Sequence, residues 1–129
     1  MASGTIPAPS MNVVSDTTVS DVSAETATLK NLTSFQLTKG KWLVNVVATF
    51  GSNSNGYRQL GVSTSSTVIW AGRTFGNQLD GASSGDTKIF LTIFMTPSST
   101  STYYINARQN SGSTLTISGI GYQAVRLSD

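Results

Sequence analysis

The sequence predicts an all-β domain, a two-sheet antiparallel sandwich or jelly roll, and three observations predict it. Apolar and polar residues alternate at the period of a strand. Clusters of Gly, Asn, Ser and Pro interrupt the alternating runs about every dozen residues. No run with helical spacing survives inspection anywhere in the 129 residues.

Taken in order, residues 1–9, MASGTIPAP, combine small side chains with two prolines and have no periodicity. Residues 1–16 are therefore expected to form an extended lead-in or anchoring arm, and residues 17–129 the folded domain. Between residues 11 and 30 isolated valines stand among Ser, Thr and Asp, which favours short strands. Residues 33–37 alternate into a turn at Thr38, Lys39 and Gly40. The clearest strand follows at 41–50, KWLVNVVATF. One of its faces is wholly apolar (Trp42, Val44, Val46, Ala48, Phe50) and the other is half apolar (Leu43, Asn45, Val47, Thr49), so Trp42 is expected in the core.

The loop GSNSNG ends in Asn55-Gly56, a hairpin cue, and leads to a strand at 57–63. Another strand is expected around 67–70, followed by a long polar connection over 71–86. The last third, residues 86–127, holds three apolar runs of strand length, divided by a Pro/Ser/Thr turn at 96–102 and a Ser/Gly turn at 110–113. From residue 33 onward this makes seven or eight strands. No internal repeat is present, which argues against propellers and solenoids.

Composition narrows the function classes. Hydrophobic residues make up 38% of the chain and charged residues only 11%, so the surface must be rich in hydroxyls and amides, with few charges to guard sheet edges. Eight Lys/Arg against six Asp/Glu give a net charge of +2, and the basic residues are scattered singly, so nucleic-acid binding is not expected. No apolar run approaches the ~18 residues of a membrane span, so no membrane insertion is expected. The start of the chain lacks the charged and apolar regions of a secretory signal.

With no Cys and no His, disulfides, the usual zinc sites and the usual catalytic triads are excluded. Asp80 and Asp86 bracket a Gly/Ser loop, where aspartate is most simply a turn former. No catalytic residue, metal site or cofactor is expected, and the chain is not read as an enzyme. Asn31-Leu32-Thr33 matches a glycosylation acceptor pattern to which no role is assigned.

The run at 87–95, TKIFLTIFM, is apolar on both faces: Ile89, Leu91, Ile93 and Met95 on one, Phe90 and Phe94 with Lys88 and Thr92 on the other. A sandwich gives each sheet a single core face. Leaving the second set in water forgoes roughly 1.5–3 kcal/mol for each side chain that could be buried. Either a loop or the amino-terminal segment folds over them, or, as expected here, Leu43, Val47, Phe90 and Phe94, with Tyr122 from the last strand, form an interface between copies of the chain.

The segments GKWLVNVVATF, NGYRQLGVST, TKIFLTIFMTP, STYYINARQNSGS and GYQAVRLS together resemble the C1q/TNF-like jelly rolls. They are most similar to the domains of that type in bacteriophage fibre, tail and head-decoration proteins. The resemblance spans residues 33–127 and rests on strand order and a Gly-aromatic-Val opening. It implies a tight trimer about a three-fold axis. It also implies that the strands at 41–50, 87–95 and 120–127 share the inner sheet facing that axis. The aromatic-rich closing pattern of the vertebrate branch is reduced here to Tyr122, and no collagen-like stalk precedes the domain.

Exposed aromatics beside amides and Arg are the candidates for ligand contact, because sugar rings stack on aromatic faces while polar neighbours bond the hydroxyls. Trp70, followed by Arg73, Phe75, Asn77 and Gln78, is one such group. Tyr104, Asn106 and Arg108 form a second outward row by alternation.

The expected function is that of a non-enzymatic virion structural or adhesion protein, a trimeric capsid-decoration or fibre-tip module of a phage that contacts host-surface saccharide. Its expected place is the virion surface, with other virion proteins held through the N-terminal segment. The alternative is a free, secreted C1q/TNF-like binding module or lectin.

Overall fold

The computed structural model describes residues 13–70 and 75–129. Nine strands run in chain order: β1 (Val13–Asp16), β2 (Val22–Ala24), β3 (Lys30–Leu37), β4 (Lys41–Phe50), β5 (Tyr57–Ser63), β6 (Gly76–Asp80), β7 (Thr87–Met95), β8 (Ser101–Gln109) and β9 (Leu115–Ser128). Sheet A has the order β1-β9-β4-β7, with β2 also paired to β9; sheet B has the order β3-β8-β5-β6.

Every pairing is antiparallel, and the pairs are nested: β5 with β6, β4 with β7, β3 with β8, β2 with β9. A chain paired this way is one long hairpin rolled over on itself, joined laterally by the β4–β9 and β5–β8 ladders. That is the jelly-roll arrangement of a two-sheet sandwich.

Alternation within the strands builds the core. Trp42, Val44, Val46, Ala48 and Phe50 of β4 and Ile89, Leu91, Ile93 and Met95 of β7 meet Phe35, Leu37, Leu60, Val62, Ile105 and Ala107 of sheet B. The Trp42 indole N–H is satisfied by the Thr38 carbonyl at 2.9 Å, which lets the largest side chain of the core be buried without an orphaned donor.

The β9 strand changes phase part way along. Val47 pairs with Gly121 and Thr49 with Ser118, so the one residue between them on β4, Ala48, faces two of β9, Gly119 and Ile120. This is a β-bulge, and Gly119 (φ 57°) supplies the left-handed residue. Beyond it Ile120, Tyr122 and Ala124 face the core and Gly121, Gln123 and Val125 face outward.

Several expectations are corrected here. Val13–Asp16, counted with the lead-in by the sequence, pairs with β9 and belongs to sheet A; residues 1–12 lie outside the described residues. No strand forms at 67–70, where the chain is a loop; the strand expected there is replaced by β6, inside the segment read as a polar connection. The Asn55-Gly56 turn does not close a hairpin, because β4 and β5 lie in different sheets and the turn carries the chain across the sandwich. Gly56 (φ 70°) instead sits against Asn110, whose side-chain oxygen accepts the Tyr57 N–H at 2.6 Å. Tyr122 is turned inward, stacked on Phe35 with ring centroids 4.9 Å apart, and is not on the outer face with Phe90.

Candidate functional site

The two outer faces of the sandwich differ in chemistry. On sheet A the cross-strand register sorts the outward side chains into rows. Val13, Val125, Leu43 and Phe94 form one apolar row. Ser15, Gln123, Asn45 and Thr92 form a polar row beside it, with the Thr92 hydroxyl donating to Asn45 Oδ1 at 2.9 Å. Gly121, Val47 and Phe90 make the next row, and Ser118, Thr49 and Lys88 the last.

Of the seven large apolar side chains left exposed among the described residues, four stand in these rows: Phe90 (64% exposed), Phe94 (54%), Val13 (47%) and Leu43 (37%). Lys88 is the only charged side chain in the four rows, and its ammonium lies 5.7 Å from the centre of the Phe90 ring. Next to Phe90 the missing side chains of Gly119 and Gly121 leave a shallow hollow of about 360 Å³, with Thr17, Val47 and Gln123 on its rim. Leu43, Val47, Phe90 and Phe94 are thus brought together as expected, and Tyr122 is not among them.

Sheet B turns a polar face outward. Arg108, Gln59 and Gln78 stand side by side on β8, β5 and β6, and the Gln59 amide donates to Gln78 Oε1 at 2.8 Å. Asn106, Gly61 and Gly76 form the adjoining row, and Tyr104 and Ser63 the one after it.

The loop over residues 64–70 folds back across the middle row. Asn106 is fully buried beneath it and donates to the Ser65 and Val68 carbonyls at 2.9 and 2.7 Å, while Asn31 donates to its side-chain oxygen at 3.1 Å. Trp70 lies in the slot left by the facing glycines: a Cβ on Gly61 would come within 2.9 Å of Trp70 Cβ, and one on Gly76 would overlap the indole. The indole remains half-buried.

The predicted ligand residues are therefore dispersed. Trp70, Gln78, Tyr104 and Arg108 share the outer face of sheet B, with the loop between Tyr104 and Arg108. Phe75 packs against the core and walls a hollow of about 230 Å³ with Thr64, Met95, Thr96 and Tyr103, so it does not stand beside Trp70 as an open platform. Asn77 lies opposite Leu60 on the edge strand β6, and Arg73 lies outside the described residues. Asp80 closes β6 and Asp86 precedes β7, at the two ends of the connecting turn. The Asn31 amide donates to Thr33 O, Ile105 O and Asn106 Oδ1, so a glycan on it would break this network.

One polar centre was not anticipated from the sequence. Arg58 is fully buried at the end of β5, with no acid beside it; its guanidinium donates to the carbonyls of Asn55 (2.8 Å), Tyr57 (3.1 Å) and Asn53. Burial lowers its pKa. Next to it Gln109, also fully buried, donates to Ala24 O and Ser113 O and accepts from the Ser111 N–H. This cluster ties the loops at one end of the sandwich to its core. Among the described residues, no group of three or more Asp/Glu side chains is placed to hold a metal ion, and no helix is long and apolar enough to cross a membrane.

The same two-sheet fold is found in viral particles. The chain aligns with a protein of the T13 particle of infectious bursal disease virus at a TM-score of 0.58 and 8% identity, over 90% of this chain and 31% of that one. With the Gx strain of infectious bursal disease virus the TM-score is 0.55 and the identity 10%, over 92% of this chain and 32% of the other. The chain therefore spans about a third of the length of the viral proteins it matches. No protein-family model matches the sequence, and no curated protein is similar to it.

Proposed function

We propose that the chain is a non-enzymatic component of a virion, a homotrimer built through the outer face of sheet A that turns sheet B to the surroundings. One observation carries this reading: the exposed Phe90, Phe94, Leu43 and Val13 are gathered on one sheet face, between Lys41 at one end and Lys88 at the other. Exposed apolar side chains scattered singly need no explanation, whereas a contiguous patch of them marks an interaction surface. The polar row of Asn45, Thr92 and Gln123 between two apolar rows gives a partner hydrogen bonds that fix its register, since an amide left unpaired in an interface is costly.

The virion assignment is supported by the two-sheet fold shared with particles of an icosahedral virus. Capsid decoration and a fibre tip are both compatible with a trimer whose opposite faces are apolar and polar. Other virion proteins would be held through the N-terminal segment that leads into β1. Host-surface saccharide would meet the amide- and hydroxyl-rich face of sheet B. Native mass spectrometry of the purified chain tests the assembly, and cryo-imaging of particles that contain it tests the location.

A further inference from the structure

We infer that the Arg108–Gln59–Gln78 strip beside Trp70 binds a saccharide that carries a carboxylate. This names the ligand class of the outward face and rests on the reading above only for which face is turned outward.

The strip crosses three adjacent strands in register, so it is about 10 Å long, comparable with a disaccharide. At one end stands the guanidinium of Arg108. It has no ion pair or hydrogen bond among the described residues, and its Nε is shielded from solvent without a partner. A guanidinium offers five N–H donors and no acceptor, and it pairs with a carboxylate through two parallel bonds.

No acid of the protein fills that role. Glu25 is engaged by Lys30 at 3.4 Å, and Asp80 lies two strands across and two residues along, about 12 Å away by strand geometry and beyond the screening length. In the middle and at the far end, Gln59 and Gln78 bond to each other once, which leaves the Gln59 oxygen to accept and the Gln78 NH₂ to donate. Ring hydroxyls need that pairing of an acceptor and a donor.

Trp70 supplies the apolar contact. Its side chain is held against Gly61 and Gly76, one row from the strip, and keeps part of its surface open to solvent. A sugar lying along the strip would set its C–H face against the indole while its carboxylate meets Arg108. A neutral sugar would leave the guanidinium without a counter-charge, and a free carboxylate would not use the indole.

The test is isothermal titration of the full chain with two acidic probes, oligogalacturonate and sialyllactose, each beside its neutral counterpart, methyl-esterified oligogalacturonate and lactose. Binding of either acidic probe tighter than its neutral counterpart by about tenfold or more is expected, weakening as salt is added. The arm that binds tells uronic from sialic acid. Arg108→Gln should remove the preference for the acidic probe, and Trp70→Phe should retain more affinity than Trp70→Ala. Equal binding of acidic and neutral probes, no binding of either acid, or an unchanged preference in Arg108→Gln would overturn the inference. Oligomeric state is recorded on the same samples, so a monomer that binds the acid defeats the assembly reading and leaves this one standing.

Discussion

Phe94 stands directly opposite Leu43 across the β4–β7 ladder and both are exposed, whereas the next pair along, Val44 and Ile93, is buried. The same two strands thus carry two apolar faces, of which the sandwich itself uses one. On the proposed reading, a second copy of the chain covers the other.

Replacing both Phe90 and Phe94 by Ser should therefore separate assembly from folding. The two rings together should raise the dissociation constant of the assembly by about 100-fold or more. The stability of the isolated subunit should change by about 0.5 kcal/mol or less per site, because neither ring contributes to the core. Native mass spectrometry and urea unfolding followed by circular dichroism measure the two effects. Loss of the fold with loss of assembly would mean that the rings have a structural role inside the subunit.

Gly76→Val should destabilise the domain by about 1–3 kcal/mol, since the added side chain must displace the indole of Trp70. Trp42 is buried and unaffected, so the red shift in tryptophan emission should come from Trp70 alone. In a Trp70→Ala background the same substitution should cost much less, and a double-mutant cycle measures the difference.

Arg58→Met removes the donors that satisfy the Asn53, Asn55 and Tyr57 carbonyls. Leaving buried acceptors unpaired should cost about 1–3 kcal/mol, partly offset because no buried charge remains to be solvated. Arg58→Lys should recover only part of the loss, because an ammonium cannot reproduce the planar fork. The midpoint of urea unfolding reads both.

Alkaline pH should weaken the domain through Tyr122. Its pKa is raised first by burial and then by the charge of Asp16. Below the ordinary value of 10.0 the phenol is neutral in both folded and unfolded chains, and its contribution is fully present. Above it the unfolded chain loses the proton while the folded one retains it, so stability falls as pH rises through the folded pKa. Tyr122→Phe should flatten that decline when unfolding midpoints are compared from neutral pH to about 11.

The place of Tyr122 also marks where the sequence stopped being readable. Counting by twos from Leu115 and Ile117, both buried, puts Gly119, Gly121 and Gln123 inside and Tyr122 outside. The bulge at Gly119 inserts one residue and reverses the phase, so Tyr122 meets Phe35. Nothing short of the β4 pairing shows this.

The edge strand β6, GNQLD, escaped for the opposite reason: exposed along most of its length, it has no apolar alternation to betray it. Residues 67–70 looked like a strand by propensity, yet Asn106 takes the Val68 carbonyl and the facing glycines take Trp70, both from a sheet that local sequence does not reveal. By contrast β4 and β7 were legible on both faces, because unbroken alternation over ten and nine residues fixes which side chains share a side.

The central claim is that the outer face of sheet A is covered by copies of the same chain. Native mass spectrometry at micromolar concentration and moderate salt tests it most directly. A single species of three subunits that falls to monomer in the Phe90→Ser, Phe94→Ser protein is the predicted result. A monomeric native chain, or a trimer indifferent to both substitutions, would contradict it.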